Sequence, residues 1–168
     1  MKKIFRDMDA IALTEAIASA FDVCNQTIGG AGITIIYPPN KSILLGKRSN
    51  PDYNAGSWCC FGGTTEPNEE PLTTAFREIN EEARINELMI SDPIPLYLDI
   101  DNNRNGFQFM NYLALASDEF DVRLNKEHSD YGWFPLMSLP NPLHPGMNRM
   151  LSDPNVMRTI IKQIVGMT

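Results

Sequence analysis

One stretch of helical periodicity limits the folds open to this chain. Leu72, Ala75, Phe76, Ile79 and Ala83 recur at spacings of three and four, which puts them on one narrow stripe at about 100° per residue. A helix with a single apolar stripe must bury it against another element, and the strand-like runs around it make that element a sheet. Pro71 sits in the first turn, where a missing N–H costs little, so the spacing predicts a helix over Pro71 to Arg84. Glu78, Glu81 and Glu82 are related by i,i+3 and i,i+4 and share the neighbouring face. Glu69, just before the helix, can fold back towards them. No Lys stands among these carboxylates, so they repel one another unless something positive sits there. A Glu-rich face alone also fits plain solvation, whereas hard oxygen ligands on a rigid helix suit Mg²⁺, with Mn²⁺ possible.

The remaining pattern is mixed. Gly32 to Tyr37 reads as a buried β-branched strand, and Pro38 to Lys41 as a turn into a second strand over Ser42 to Lys47. A short strand fits Trp58 to Phe61, ending at Gly62-Gly63. Ile94 to Asp101 and Phe107 to Ala116 form two more, joined by an Asn/Gly-rich turn. Tyr131 to Leu136 is a last candidate, and the three prolines between Leu139 and Pro145 exclude regular helix there. Asp153-Pro154 starts a closing helix to about Val165. Ile11, Thr14, Ile17, Ala18 and Phe21 give residues 1–30 an amphipathic helical extension rather than a signal peptide, since charged residues interrupt any apolar run. With no repeat or linker, 168 residues make one α/β (α+β) domain.

Charge narrows the partners. A net charge of −7 without a basic run argues against long nucleic acid, while small phosphorylated ligands held through cations fit. No stretch is long and apolar enough for a membrane span. Three cysteines, Cys24 and the adjacent Cys59 and Cys60, form neither a disulfide framework nor a zinc motif, which points to a cytoplasmic protein with reduced thiols. Strand alternation sends Cys59 and Cys60 to opposite faces. His128 and His144 are expected on surface loops without partners.

The spacing from Gly63 to Ile85 carries more. Gly63, five residues, Glu69, seven residues, Arg77-Glu78, an aliphatic Ile79, one residue, Glu81-Glu82, two residues and aliphatic Ile85 together resemble the Nudix box. Arg84 departs from it, standing where the family usually has a Gly that ends the helix in the left-handed region. Either Arg84 takes that conformation or the helix ends differently, with Asn86 as terminator. Phe61 replaces the usual Pro before Gly62-Gly63. Gly56-Ser57-Trp58 and the basic strand end Lys47-Arg48 are also similar to the family pattern, and the likeness runs over roughly residues 31 to 140.

The resemblance implies a Nudix fold, a mixed sheet between helices, and hydrolysis of a diphosphate bond by metal-activated water. It implies Glu78, Glu81 and Glu82 as metal ligands with Glu69 in support, and Arg77 as the residue that orients the carboxylates. Glu127, in a loop before Trp133, is the candidate fourth carboxylate as ligand or general base, and Asp130 is the alternative. Arg48, Gly62 and Gly63 are candidate substrate contacts. The partner implied is a small nucleoside diphosphate derivative, such as a nucleoside triphosphate or nucleotide sugar. Pro93, Pro95 and Tyr97 fall too early for the tags that mark ADP-ribose and dinucleoside-polyphosphate cleavers. A non-catalytic binding module on the same fold usually has an eroded box, and a prenyl-diphosphate isomerase normally lacks one; this box keeps every carboxylate. The oligomeric state is open, a homodimer included.

Overall fold

The structure, a computed structural model, describes residues 28–49 and 54–166. The expected N-terminal helix and Cys24 lie outside the described residues. The strands are β1 (Gly30–Tyr37), β2 (Ser42–Arg48), β3 (Trp58–Cys59), β4 (Phe61–Thr64), β5 (Ile94–Asp101), β6 (Phe107–Leu115) and β7 (His128–Pro135). The helices are α1 (Pro71–Ala83), α2 (Pro145–Ser152) and α3 (Pro154–Gly166).

The sheet is mixed. β1 runs parallel to β6 along its whole length, and β5 pairs antiparallel with β6 at the edge. The other edge of β1 is divided. Its last residues pair with β2, Ile35 opposite Leu44, while its first pair with β4, Gly30 opposite Thr64. β2 is divided likewise, pairing with β1 through Ser42–Leu44 and with β3 through Gly46 and Lys47. The β1–β2 hairpin therefore splays open and the β3–β4 segment enters the gap. The single strand expected over Trp58 to Phe61 is in fact two, because the chain crosses at Cys60 from pairing with one arm to pairing with the other. That crossing delivers Gly62 and Gly63 to the middle of the sheet.

Alternation along β1 sorts the core into two layers. Ala31, Ile33 and Ile35 face α1, where Ala75, Ile79, Ala83 and Ile85 are buried with them. Ile36 faces α2 and α3, against Met147, Met150, Val156 and Ile160. The molecule is thus a sheet between helices, as expected. Truncating a fully buried residue such as Ile79 to Ala would cost about 2–5 kcal/mol.

Helix α1 begins at Pro71 and closes on Arg84, which takes the left-handed conformation at φ 57° and ψ 28°. Its N–H bonds to the Asn80 carbonyl at 3.0 Å, and the Ile85 N–H reaches back to Ile79 at 3.2 Å. The chain thus keeps the turn that a glycine would take, despite a Cβ there. Asn86 does not end this helix; its side chain caps the short 3₁₀ turn Glu87–Met89. Helix α2 was not expected from the sequence, being short and preceded by the proline-rich stretch. Pro145 at its first position and His144, whose Nδ1 accepts the Gly146 N–H at 3.2 Å, start it. Asp153 caps α3 as expected, accepting the Asn155 N–H at 2.7 Å.

Candidate active site

The acidic face of α1 is graded by depth. Glu82 is buried, with a side chain 3% exposed; Glu78 is mostly covered, and Glu81 is 56% exposed. The grading follows from where the stripe docks: Glu82 and Glu78 flank Ile79 and meet β4, while Glu81 turns away from the sheet.

Gly62 and Gly63 explain how carboxylates fit against a strand. The Gly62 N–H donates to Glu82 Oε2 at 2.8 Å. A Cβ on Gly63 would lie 2.5 Å from the Glu78 carboxyl carbon, and one on Gly62 would strike Gly32 Cα at 2.4 Å. Only a pair of glycines lets the helix carboxylates and β1 approach β4 together.

Arg77 gathers the acidic groups on the solvent side. It grips Glu69 bidentately, Nε to Oε1 at 2.9 Å and Nη2 to Oε2 at 3.0 Å. Its Nη1 donates to Glu78 Oε1 at 2.8 Å and lies 3.6 Å from Glu81 Oε2, and its Nη2 also donates to the Thr64 carbonyl at 3.0 Å. Glu69 further accepts from the Glu66 N–H at 3.0 Å and the Thr74 hydroxyl at 2.8 Å. These donors hold its carboxyl down at about 2, Arg77 contributing most.

The loop before β7 is tied to the end of α1. The Asn125 and Arg123 N–H groups donate to the Glu82 and Ala83 carbonyls at 2.9 and 3.1 Å, satisfying helix-end acceptors. Ser49 N–H, just past β2, donates to the Glu127 carbonyl at 2.9 Å. Glu127 is thereby held within electrostatic reach of Glu78 and Glu82, and its charge helps raise the pKa of both. Asp130 accepts its neighbour's N–H at Tyr131, whose hydroxyl donates to Asp121. Arg48, at the end of β2, has Nη1 3.9 Å from Cys59 Sγ, and its charge opposes the upward shift at Glu82.

The electrostatics are lopsided. Burial pushes Glu82 up to about 8, partly opposed by the Gly62 N–H and reinforced by the charges of Glu78 and Glu127. Burial also raises Glu78, against the pull of Arg77. Two carboxyls are thus held where burial works against their negative charge. Among the described residues, no three His, Cys, Asp or Glu side chains are gathered tightly enough to enclose an ion.

One expectation is overturned. His128 is no surface loop residue: it opens β7, its ring is 1% exposed, and it packs edge-on to Phe61 with centroids 4.9 Å apart. Burial and the charge of Arg48 lower its pKa to about 4, so the ring is neutral. His144 is also not free on the surface, being half-buried as the cap of α2. The cysteines do part as alternation predicts, Cys59 towards Arg48 and His128, Cys60 towards Asn111 Oδ1 at 3.5 Å. The sequence did carry one sign of His128. Gly46 interrupts an apolar strand, and a Cβ there would lie 2.6 Å from the His128 ring, so the strand leaves room for it.

Comparison with known proteins settles the family. The NUDIX domain matches residues 27–153. The chain belongs to the Nudix family. A MutT Nudix hydrolase from Burkholderia pseudomallei is 30% identical over 74% of this chain and 95% of its own, with a TM-score of 0.58. An ADP-ribose pyrophosphatase from Streptococcus suis (21% identity, 79% of this chain and 92% of its own, TM-score 0.60) shares the fold. So does an Ap4A hydrolase from C. elegans (20% identity, 82% and 96%, TM-score 0.56). A comparison with curated proteins gives no match. As a Nudix hydrolase this protein is a pyrophosphatase-type enzyme acting on acid anhydrides. Among the described residues no helix is long and apolar enough to cross a membrane.

Proposed function

We propose that the protein is a cytoplasmic, divalent-metal-dependent hydrolase. Its substrate class is a nucleoside diphosphate linked to another moiety, such as a nucleoside triphosphate or nucleotide sugar. The observation that carries this reading is the buried Glu82, held by the Gly62 N–H and crowded by the charges of Glu78 and Glu127. The donor set is all carboxylate, which fits Mg²⁺ or Mn²⁺. Glu78, Glu81 and Glu82 would hold the metal, and Glu127 would act as a further ligand or as the base that takes a proton from water. Bound metal supplies charge neutralisation at the phosphates and a more acidic water.

The chain's own residues do the rest. Arg77 orients Glu78 and Glu81 while Glu69, its oxygens already engaged by four donor groups, braces Arg77; support rather than ligation is the role we assign to Glu69. Gly62 fixes one oxygen of Glu82 through its N–H, and Gly63 clears the space Glu78 occupies. Arg48, at the end of β2, would receive a phosphate oxygen.

Nucleoside triphosphates, nucleotide sugars and other nucleoside diphosphate conjugates, each with Mg²⁺ or Mn²⁺, form the test panel, with cleavage products read by chromatography. Turnover of at least one class is expected, abolished by chelator and reduced about a hundredfold or more in Glu82→Gln. Equal turnover in chelator, or no cleavage of any member, would overturn the proposal.

A further inference from the structure

We infer that His128 is a positioning residue for Glu82, its Nδ1–H holding the carboxylate oxygen that Gly62 does not, with Cys59 fixing the ring from the far side. For its effect on turnover this rests on Glu82 being a metal ligand, as proposed above.

The geometry is directional. Glu82 Oε2 takes the Gly62 N–H at 2.8 Å, and Oε1 faces His128 Nδ1 at 3.9 Å. That nitrogen is buried and has no hydrogen-bond partner where it stands. On the other side of the ring, Nε2 lies 3.9 Å from Cys59 Sγ. Phe61 packs on the ring and Gly46 opens the slot beside it, so the imidazole is confined between the thiol and the carboxylate.

Chemistry then assigns the proton. A buried, un-ionised thiol can donate, so Nε2 can serve as the acceptor, which leaves the hydrogen on Nδ1. An ionised carboxylate is only an acceptor, so the Nδ1–H is matched to Glu82. Closing the gap to a hydrogen bond takes about 1 Å, within reach of a small turn of either group. A ring N–H left buried without an acceptor is unfavourable, which favours that closure. The remaining lone pairs of Glu82 stay available to a metal ion. Sequence distance hides the pair: β2 pairs with β7 and the loop before β7 is tied to α1, and these two contacts bring residues 82 and 128 together.

Two experiments decide the matter. The first is the ring nitrogen spectrum of the protein. It is simple, because the chain has two histidines. The spectrum is recorded at about pH 9, which favours the carboxylate form of Glu82. The His128 signals should then report hydrogen on Nδ1, and they should move in Glu82→Gln. Hydrogen on Nε2, with Nδ1 bare, would overturn the inference and would make His128 a ligand candidate instead.

The second compares His128→Asn, whose amide nitrogen stands close to the Nδ1 position, with His128→Gln and His128→Phe. Mn²⁺ affinity is read by titration, and kcat and KM with whichever member of the nucleotide panel the wild type cleaves. His128→Asn should stay within about threefold of wild type. Gln and Phe should weaken Mn²⁺ binding and kcat about tenfold or more with KM little changed. Equal losses in all three variants, or none, would overturn the inference. Absence of any hydrolysis in the wild type would count against the proposed function alone, since the nitrogen spectrum needs no substrate and no metal. If a variant fails to fold, the wild-type and Glu82→Gln spectra still decide.

Discussion

Replacing Glu82 by Gln should make the metal-free protein more stable at neutral pH, although it damages the enzyme. Burial raises this carboxyl from an ordinary 4.5 to about 8. Below pH 4.5 the side chain is neutral in both folded and unfolded chains and costs nothing. Between 4.5 and about 8 the unfolded chain releases the proton while the folded one keeps it, so stability falls by about 1.4 kcal/mol per pH unit. At pH 7 the accumulated cost is about 3 kcal/mol, a large share of a typical stability of roughly 5–15 kcal/mol. Gln has nearly the same shape and keeps an oxygen for the Gly62 N–H, but its buried NH₂ needs an acceptor, which returns about 1 kcal/mol. The net expectation is a gain of about 1–3 kcal/mol at pH 7 that shrinks to nothing near pH 5. Urea unfolding in chelator, at both pH values and for both proteins, measures it. Mg²⁺ should narrow the difference, adding about 1.4 kcal/mol to wild type at ten times its Kd and little to the variant. A stability difference that is the same at pH 5 and pH 7 would refute the reasoning, because only ionisation of a buried carboxyl makes it depend on pH.

Three further outcomes follow from the same geometry. Arg77→Ala should lower metal affinity and turnover together by about ten- to a hundredfold, read by Mn²⁺ titration and steady-state kinetics, whereas an effect on KM alone would make Arg77 a substrate contact. Gly63→Ala places a methyl 2.5 Å from the Glu78 carboxyl; activity should fall about tenfold or more, with far-ultraviolet circular dichroism unchanged, if Glu78 must sit against β4. Arg84→Gly should stabilise the protein by up to about 1 kcal/mol in thermal unfolding, since it relieves a left-handed non-glycine residue at some cost in chain entropy. A lower melting temperature would mean that the Arg84 side chain stabilises more than its backbone costs.

Local periodicity and spacing made part of this protein legible. The stripe from Leu72 to Ala83, the carboxylates beside it and the Gly62-Gly63 pair are properties of one short segment, and a helix has one period. A regular helix therefore places Glu78, Glu81 and Glu82 on a common face wherever it docks. Spacing also carried the likeness to the Nudix family, which the comparison with known proteins supports. What spacing could not say is which of those carboxylates is buried. That depends on the angle at which α1 meets β4, and it separates Glu82, with its raised pKa, from the exposed Glu81 one residue away. The division of Trp58 to Phe61 into two strands was also invisible, because either pairing satisfies the same backbone groups and only the splayed hairpin selects between them. His128 is the clearest case. Read along the chain it is a polar residue in a polar loop, with no partner at ligand spacing. Pairing of β2 with β7, and two helix-end carbonyls that needed donors, carry it into the core beside Glu82. Sequence determines what a segment brings to its own face; a contact between segments forty-six positions apart is decided by which unsatisfied backbone groups and apolar surfaces the whole fold must cover.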